Sequence, residues 1–248
     1  MAWALSMVAC SAAGAAMVQG RVMDQNEAKL VAARAAIGEL PPSGVIGLGS
    51  GSTAKLFVDE VGARVKAGAP YRGVPTSQTT RAQAQALGIP LLGDEEPWDI
   101  VMCVDGADEV DERLNLIKGG GGALTREKIV NDAARRNVII VDESKMKRRL
   151  GESWPIPIEV LRFGFAQTKA RLETFGPATL RKRDGEPFIT DAGNYILDVA
   201  TGPMDEPEEI DVRLRAIPGV VETGLFIARA QLVLIAGAGG VRRLVPRA

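Results

Sequence analysis

Four short apolar runs, each followed by Gly, Ser or acidic residues or a turn, limit what this chain can fold into more than any other feature. Val45–Leu48, Asp99–Val104, Asn137–Val141 and Gln231–Ala236 are apolar apart from a polar first residue in three of them. A strand whose side chains are all apolar must be covered on both faces, as strands of parallel sheets are. Between these runs the spacing predicts helices from Ala54 to about Lys66, up to Leu87, and from Leu124 to Arg136, with a shorter strand at Val74–Ser77. Alternating strand and helix argues for the α/β class, a Rossmann-like, mostly parallel sheet flanked by helices. Open sheets of this kind hold ligands outside the C-terminal ends of their strands. The polar residues after each run are therefore where chemistry is expected.

The pattern changes after Trp154, where Pro155 and Pro157 mark a boundary. A helix is expected near Gln167–Phe175, then strands at Arg181–Asp184, Pro187–Asp191 and Tyr195–Val199, turning at Asp184-Gly185 and Asp191–Asn194. Another helix fits between Asp205 and Ile217, and a strand at Val220–Ile227. This α+β patterning predicts a smaller, ferredoxin-like domain over residues 155–227. Residues 23–154 and 228–248 would form the Rossmann-like domain, with Gln231–Ala236 returning to its sheet. Residues 1–22 carry no charge before Arg21 and are rich in Ala, Ser, Gly and Met. They lack the basic segment of a signal peptide, and so much alanine makes a poor membrane span. A disordered extension, or a true start at Met23, is the expectation. Asp24 with Glu27 then predicts a capped helix start, closed by Gly38 and Pro41-Pro42.

Composition removes several classes of function. A net charge of −1 over 248 residues gives no broad grip on nucleic acid or an anionic membrane, so neither is an expected partner. Cys10 and Cys103 match no disulfide or zinc framework, and a reducing, cytoplasmic setting is the simpler expectation. Histidine is absent. That rules out Ser-His-Asp triads, Cys-His dyads, HExxH zinc sites and a histidine base. A proton shuttle near neutral pH must use a carboxylate, lysine, cysteine or tyrosine of shifted pKa.

The stretch Val104–Lys128 (VDGADEVDERLNLIKGGGGALTREK) supplies such groups. Asp105, Asp108 and Asp111 follow a buried strand directly. Lys118, four glycines and Glu127 come next. Glycines let backbone amides approach a small polar ligand closely. A solvated acidic loop is one alternative reading; the other is a Mg²⁺ or Ca²⁺ site, although the spacing departs from the D-x-D-x-D-G loop and Lys118 competes for the charge. Upstream, Gly49-Ser50-Gly51-Ser52-Thr53 links a strand to a helix start, where free amides suit a phosphate. A plain capped turn is the duller alternative. Gly49, Gly51 and Ala54 also fit G-x-G-x-x-A, but no acidic residue lies between Val61 and Gly93 to hold a dinucleotide ribose. Lys145, in Asp142-Glu143-Ser144-Lys145, again falls just past a strand.

GLGSGSTAKLF, DGADEVD, KGGGGALTREK and DESK, in that order and with IPGVVETGLF near the C-terminus, resemble ribose-5-phosphate isomerases of the A type. The resemblance runs from Met23 to the C-terminus. It implies an enzyme that interconverts D-ribose 5-phosphate and D-ribulose 5-phosphate through a cis-enediolate. It further implies no cofactor, no metal, a small sugar phosphate as partner, and a homodimer or tetramer. By that resemblance Glu127 is the catalytic base, with Asp105, Asp108 and Lys118 around the reacting end. Gly106, Ala107, Gly119, Gly120 and Gly121 would bind substrate. Ser50, Gly51, Ser52 and Thr53 would form the phosphate loop, with Lys29 and Lys145 as further phosphate partners. Ser50 stands where the family usually has threonine, which keeps the hydroxyl. Residues 1–22 have no counterpart.

Two other readings stay open. A sugar-phosphate sensor would normally carry a helix-turn-helix, for which the first 22 residues are too short. A related phosphosugar isomerase or deaminase commonly relies on a histidine. On the isomerase reading, Asp105 is expected to shuttle the proton of ring opening. Burial and neighbouring carboxylates should raise the pKa of Glu127 against the pull of Lys118.

Overall fold

The structure, a computed structural model, describes residues 23–246. The expectations for residues 1–22 lie outside the described residues. Helix α1 (Gln25–Ile37) opens the fold, and the Asp24 carboxylate accepts a hydrogen bond from the Glu27 amide at 2.8 Å, the cap the sequence predicts. Strand β1 (Gly44–Leu48), helix α2 (Ser52–Lys66), strand β2 (Tyr71–Pro75), helix α3 (Gln78–Ala86) and strand β3 (Ile100–Asp105) follow. A short pair, β4 (Glu109–Val110) and β5 (Leu116–Ile117), leads to helix α4 (Leu124–Ala133) and strand β6 (Asn137–Asp142). Then come β7 (Ile156–Val160), α5 (Phe165–Leu172), β8 (Ala178–Leu180), β9 (Lys182–Arg183), β10 (Glu186–Pro187), β11 (Tyr195–Val199), α6 (Pro207–Arg215) and β12 (Val220–Thr223). The chain closes with β13 (Leu225–Phe226), β14 (Leu232–Gly237) and β15 (Gly240–Leu244).

The main sheet runs β15-β14-β6-β3-β1-β2, parallel throughout except for β15. Strands that alternate in and out of a sheet present one set of side chains to each face. Ile46, Leu48, Met102, Val104, Val138 and Ile140 pack under α1 and α2, meeting Phe57, Val58 and the alanines of α1. Ala28, Ala32, Ala33 and Ala36 are small enough to let α1 lie close to its neighbours, and all are buried. Ile100 and Cys103 face the other way, onto Val130 of α4. From β1 the chain goes to β2 on one side, then crosses back to β3 on the other. The C-terminal ends of β1 and β3 therefore diverge at a topological switch point, where a crevice must open.

Residues 156–223 build a second sheet, β12-β7-β11-β8, antiparallel at every step. Its βαββαβ chain order and 4-1-3-2 strand order are the ferredoxin-like arrangement the sequence suggested. Leu172, Leu214, Ile156, Ile158, Leu197 and Val199 form its core. A three-stranded ribbon, β13-β5-β4, lies between the two sheets.

Several element boundaries differ from the sequence reading. Strand β2 begins at Tyr71, three residues before Val74, because the Tyr71 ring is buried and its hydroxyl donates to Pro41 O at 2.8 Å. Ile156–Val160 is a central strand in spite of Pro157. The strands expected at Arg181–Asp184 and Pro187–Asp191 are instead the small hairpin β9–β10. Its turn lies at Asp184-Gly185, both at positive φ (54° and 87°). Strand β15 has no apolar run to mark it in the sequence, because it is an edge strand that holds Arg242 and Arg243.

Candidate active site

The crevice at the switch point is lined from four directions. The loop after β1 carries Gly49 and Ser50, and the loop after β3 carries Asp105 and Gly106. The turn between β5 and α4 contributes the glycines, and the first turn of α4 contributes Glu127. Gly49 permits the first two to meet. A Cβ at that position would lie 2.3 Å from Asp105 Oδ1, so no other residue fits. With glycine there, Asp105 Oδ1 accepts from the Ser50 amide (2.9 Å) and the Gly106 amide (2.8 Å), which ties the two strand ends together.

Lys118 is the charged centre of the site. Its Nζ lies 3.0 Å from Asp105 Oδ2 and 3.3 Å from Glu127 Oε2, and donates to Gly106 O at 2.6 Å. All three charged side chains are buried, at about 4–5% exposure, so solvent and salt screen their charges far less than at the surface. Burial alone would lower the lysine pKa, but the carboxylates of Asp105 and Glu127 outweigh it and hold Lys118 above the ordinary lysine value. Glu127 goes the other way. Burial, helped by the charges of Asp105 and Asp108, raises it to about 7 against the pull of Lys118. Glu127 Oε2 makes no aligned hydrogen bond among the described residues. It is a buried acceptor aimed into a polar cavity. Asp108, also raised by burial, accepts from the Gly120 amide at 2.7 Å.

The cavity itself is about 130 Å³. Glu127, Lys118, Asp108, Gly106, Ala107 and Gly119–Gly121 form one end, and Ser50–Thr53, Lys29 and Lys145 the other. Every site residue implied by the resemblance thus lines it except Asp105, which lies beneath it, hydrogen-bonded through both oxygens. Asp111, the third aspartate of the stretch, lies outside the cavity, where its Oδ1 accepts from the Arg113 and Asn115 amides at 2.9 and 2.8 Å. At the second end the N-terminus of α2 is open. Gly51 caps it at φ 94°, there is no side-chain cap, and the first turn carries no acidic residue. A free helix N-terminus with two lysines nearby is an anion site by charge and by geometry. Asp142 steadies Lys145 by accepting from the Ser144 amide at 3.0 Å. The Ser50 hydroxyl is turned inward, 2.7, 2.8 and 3.1 Å from the hydroxyls of Thr76, Ser77 and Thr80.

Sequence reasoning missed three residues here. Gln25 lines the phosphate end. Lys128, buried beside Glu127, donates to Thr223 O and Leu225 O, both at 2.7 Å, and pairs with Glu222 at 3.0 Å; burial lowers its pKa to about 8. Arg181 reaches from the smaller sheet to the glycine turn. Each is an ordinary polar residue in the sequence, and its partners (Asp142 for Gln25, Glu222 and two carbonyls for Lys128, Asp198 and two carbonyls for Arg181) are distant in the chain and belong to no motif. Among the described residues no group of three or more Asp, Glu or Cys is arranged to hold a metal ion. No described helix is long and apolar enough to cross a membrane.

The sequence profile of the family "Ribose 5-phosphate isomerase A (phosphoriboisomerase A)" matches residues 72–240. A ribose-5-phosphate isomerase A from Rhodopseudomonas palustris (strain BisB18) is 47% identical over 228 residues, covering 89% of this chain and 98% of the relative. One from Gloeobacter violaceus is 45% identical over 228 residues, covering 91% and 99%. Among solved structures, the ribose 5-phosphate isomerase A of Methanocaldococcus jannaschii superposes with a TM-score of 0.84 at 40% identity, over 88% of this chain and 98% of that one. A D-ribose-5-phosphate isomerase in complex with phospho-erythronic acid superposes with a TM-score of 0.87 at 38% identity, over 90% and 100%.

Proposed function

Starting from the premise that the chain belongs to the ribose 5-phosphate isomerase A family and is an aldose–ketose isomerase of ribose 5-phosphate, we propose that Glu127 moves the proton between C2 and C1 through a cis-enediolate. A cis-enediolate exposes C1 and C2 on one face, so a single carboxylate can take the proton from one carbon and return it to the other. The observation that carries this reading is the buried Glu127 carboxylate, raised to about 7 and with one oxygen lacking a hydrogen bond, 3.3 Å from the Lys118 ammonium. A base works best with its pKa near the working pH, and burial supplies that shift.

The charge that develops on the substrate oxygens needs donors already in place. Lys118 and the turn of Gly119–Gly121 border the cavity at that end, with the Gly120 amide already given to Asp108. Asp105 holds Lys118 from behind and is itself saturated by donors. That makes Asp105 a fixed counter-charge and a poor proton shuttle. Asp108 faces the cavity and has a raised pKa, so it is the better placed acceptor for the proton released when the sugar ring opens. The substrate phosphate would bind at the α2 N-terminus with Lys29 and Lys145. Holding the far end of the substrate there keeps C1 and C2 against the base. Lys118 supplies the positive charge at the reacting end, so the reaction proceeds without a metal ion.

Isomerisation in D2O tests the enediolate. The base exchanges its proton with solvent, and ribulose 5-phosphate should gain deuterium on one face of C1. Product free of deuterium, as a direct hydride shift would give, contradicts the reading.

A further inference from the structure

Arg181 follows β8, and its backbone is fixed on both sides. Its amide donates to Ile196 O at 2.9 Å, and its carbonyl accepts from the Phe188 amide at 2.9 Å. From this anchor the side chain, 15% exposed, leaves the smaller sheet. Nη1 donates to Gly119 O at 2.7 Å and Gly120 O at 3.1 Å. Nε donates to Asp198 Oδ2 at 2.9 Å, and Nη2 to Asp198 Oδ1.

We propose that Arg181 is a positioning residue that holds the glycine turn with the Gly121 amide turned toward the cavity and the Gly120 amide on Asp108. The proposal rests on the reading that the turn's free amide stabilises an enediolate oxygen. In a planar trans peptide, the carbonyl of one residue and the N–H of the next point in opposite directions. Gripping Gly119 O therefore turns the Gly120 N–H away from Arg181, where it meets Asp108 Oδ2 at 2.7 Å. Gripping Gly120 O likewise turns the Gly121 N–H away from the guanidinium. Gly120 and Gly121 both line the cavity.

Four successive glycines have little conformational preference of their own, and Gly119 already sits at φ 101°. A flipped peptide would present a carbonyl lone pair where negative charge is to develop. The Asp198 carboxylate occupies the other edge of the guanidinium and fixes its plane, as a forked Arg–carboxylate pair does. Through this contact the smaller sheet would set the geometry of a site whose reacting groups lie on α4 and the three-stranded ribbon.

The test is steady-state kinetics and ligand binding on Arg181 and Asp198 variants. Arg181→Met should lower kcat about 10- to 100-fold. KM should change by no more than about threefold, because the phosphate end is built from other elements. Low-millimolar guanidinium should restore part of the kcat of Arg181→Ala. Affinity for phospho-erythronic acid, which has a carboxylate at the reacting end, should fall, while that for inorganic phosphate should not. Asp198→Asn leaves both carbonyl contacts available and should keep most of kcat. Arg181→Lys keeps a cation but cannot span Asp198 and two carbonyls at once. It should show a smaller loss of the same kind, which keeps the test open if Arg181→Met fails to fold.

A folded Arg181 variant with native kcat and native affinity for phospho-erythronic acid would overturn the proposal. So would an equal loss in Asp198→Asn with no rescue by guanidinium, because packing of the smaller sheet would then explain it. The phospho-erythronic acid arm reads the turn by binding alone, so its outcome is independent of which residue is the base.

Discussion

At the scale of single residues, the charge state of Glu127 has consequences for both rate and stability. The base acts as the carboxylate, and burial raises its pKa to about 7. The plot of kcat/KM against pH should therefore rise through about 7 and level off above it. Lys118, held above the ordinary lysine value, stays charged across that range. In the unfolded chain Glu127 has its ordinary value near 4.5, so the folded state binds the proton more tightly. That contribution to stability is fully present below about 4.5 and is lost as pH rises through about 7. Glu127→Gln should accordingly raise Tm at pH 8 relative to the parent chain and show a smaller gain at pH 5, as thermal melts would record. Lys118→Met removes the cation between two buried carboxylates and should cost about 3–5 kcal/mol in a denaturant melt. Asp108→Asn should slow turnover of ribose 5-phosphate while sparing exchange of the C1 proton of ribulose 5-phosphate. That ketose is acyclic, because its C5 hydroxyl is esterified, so no ring has to open. Equal loss in both assays would remove Asp108 from ring opening. Glu127, Lys118, Asp105 and Asp108 stood out in the sequence because a chain without histidine leaves few residue types for proton transfer near neutral pH, and these cluster after a buried strand; Asp111, in the same cluster, lies outside the cavity. Arg181 and Lys128 did not, because their partners, two carbonyls and one carboxylate each, lie far away in the chain and outside any motif.

Among the elements, the loops after β1 and β3 tie stability to function. Gly49→Ala would force a methyl group against Asp105 and should reduce both Tm and activity, by roughly 1–3 kcal/mol in stability; an unchanged melt would contradict the close approach. Ser50→Ala empties the centre of a hydroxyl cluster and should cost about 1–2 kcal/mol while leaving kcat nearly intact, since that hydroxyl faces inward. The buried parallel strands and the turns that follow them could be read from the sequence because burial on both faces leaves an uninterrupted apolar run. Strands β7, β8 and β15 could not. Pro157 disguised the first, and three residues are too short a pattern for the second. The third lies at an edge where arginines are tolerated. The two-residue strands β4 and β5 gain their regularity only from tertiary pairing, and the strand expected at Val220–Ile227 divides into β12 and β13, which pair in different sheets; local sequence encodes neither.

In the whole molecule, three separately paired sheets converge on one small cavity. The main sheet supplies Asp105 and the phosphate loop. The ribbon carries Lys118, whose amide donates to Gly224 O at 2.9 Å. The smaller sheet reaches the glycine turn through Arg181. A parallel sheet with its site beyond the C-terminal strand ends could be anticipated from the βα alternation, whereas the strand order and the way the smaller sheet leans on the site depend on long-range contacts that no motif announces. We expect a homodimer, which light scattering would report as the mass of two chains. We also expect full activity in EDTA, because Lys118 provides the positive charge a metal would bring. The central claim is that Glu127 carries the proton, and its most direct test is solvent exchange at substrate C2 by NMR in D2O with Glu127→Gln. The account predicts a folded protein that still binds the sugar phosphate but exchanges that proton about 10²- to 10⁴-fold more slowly. Exchange at the native rate would contradict it.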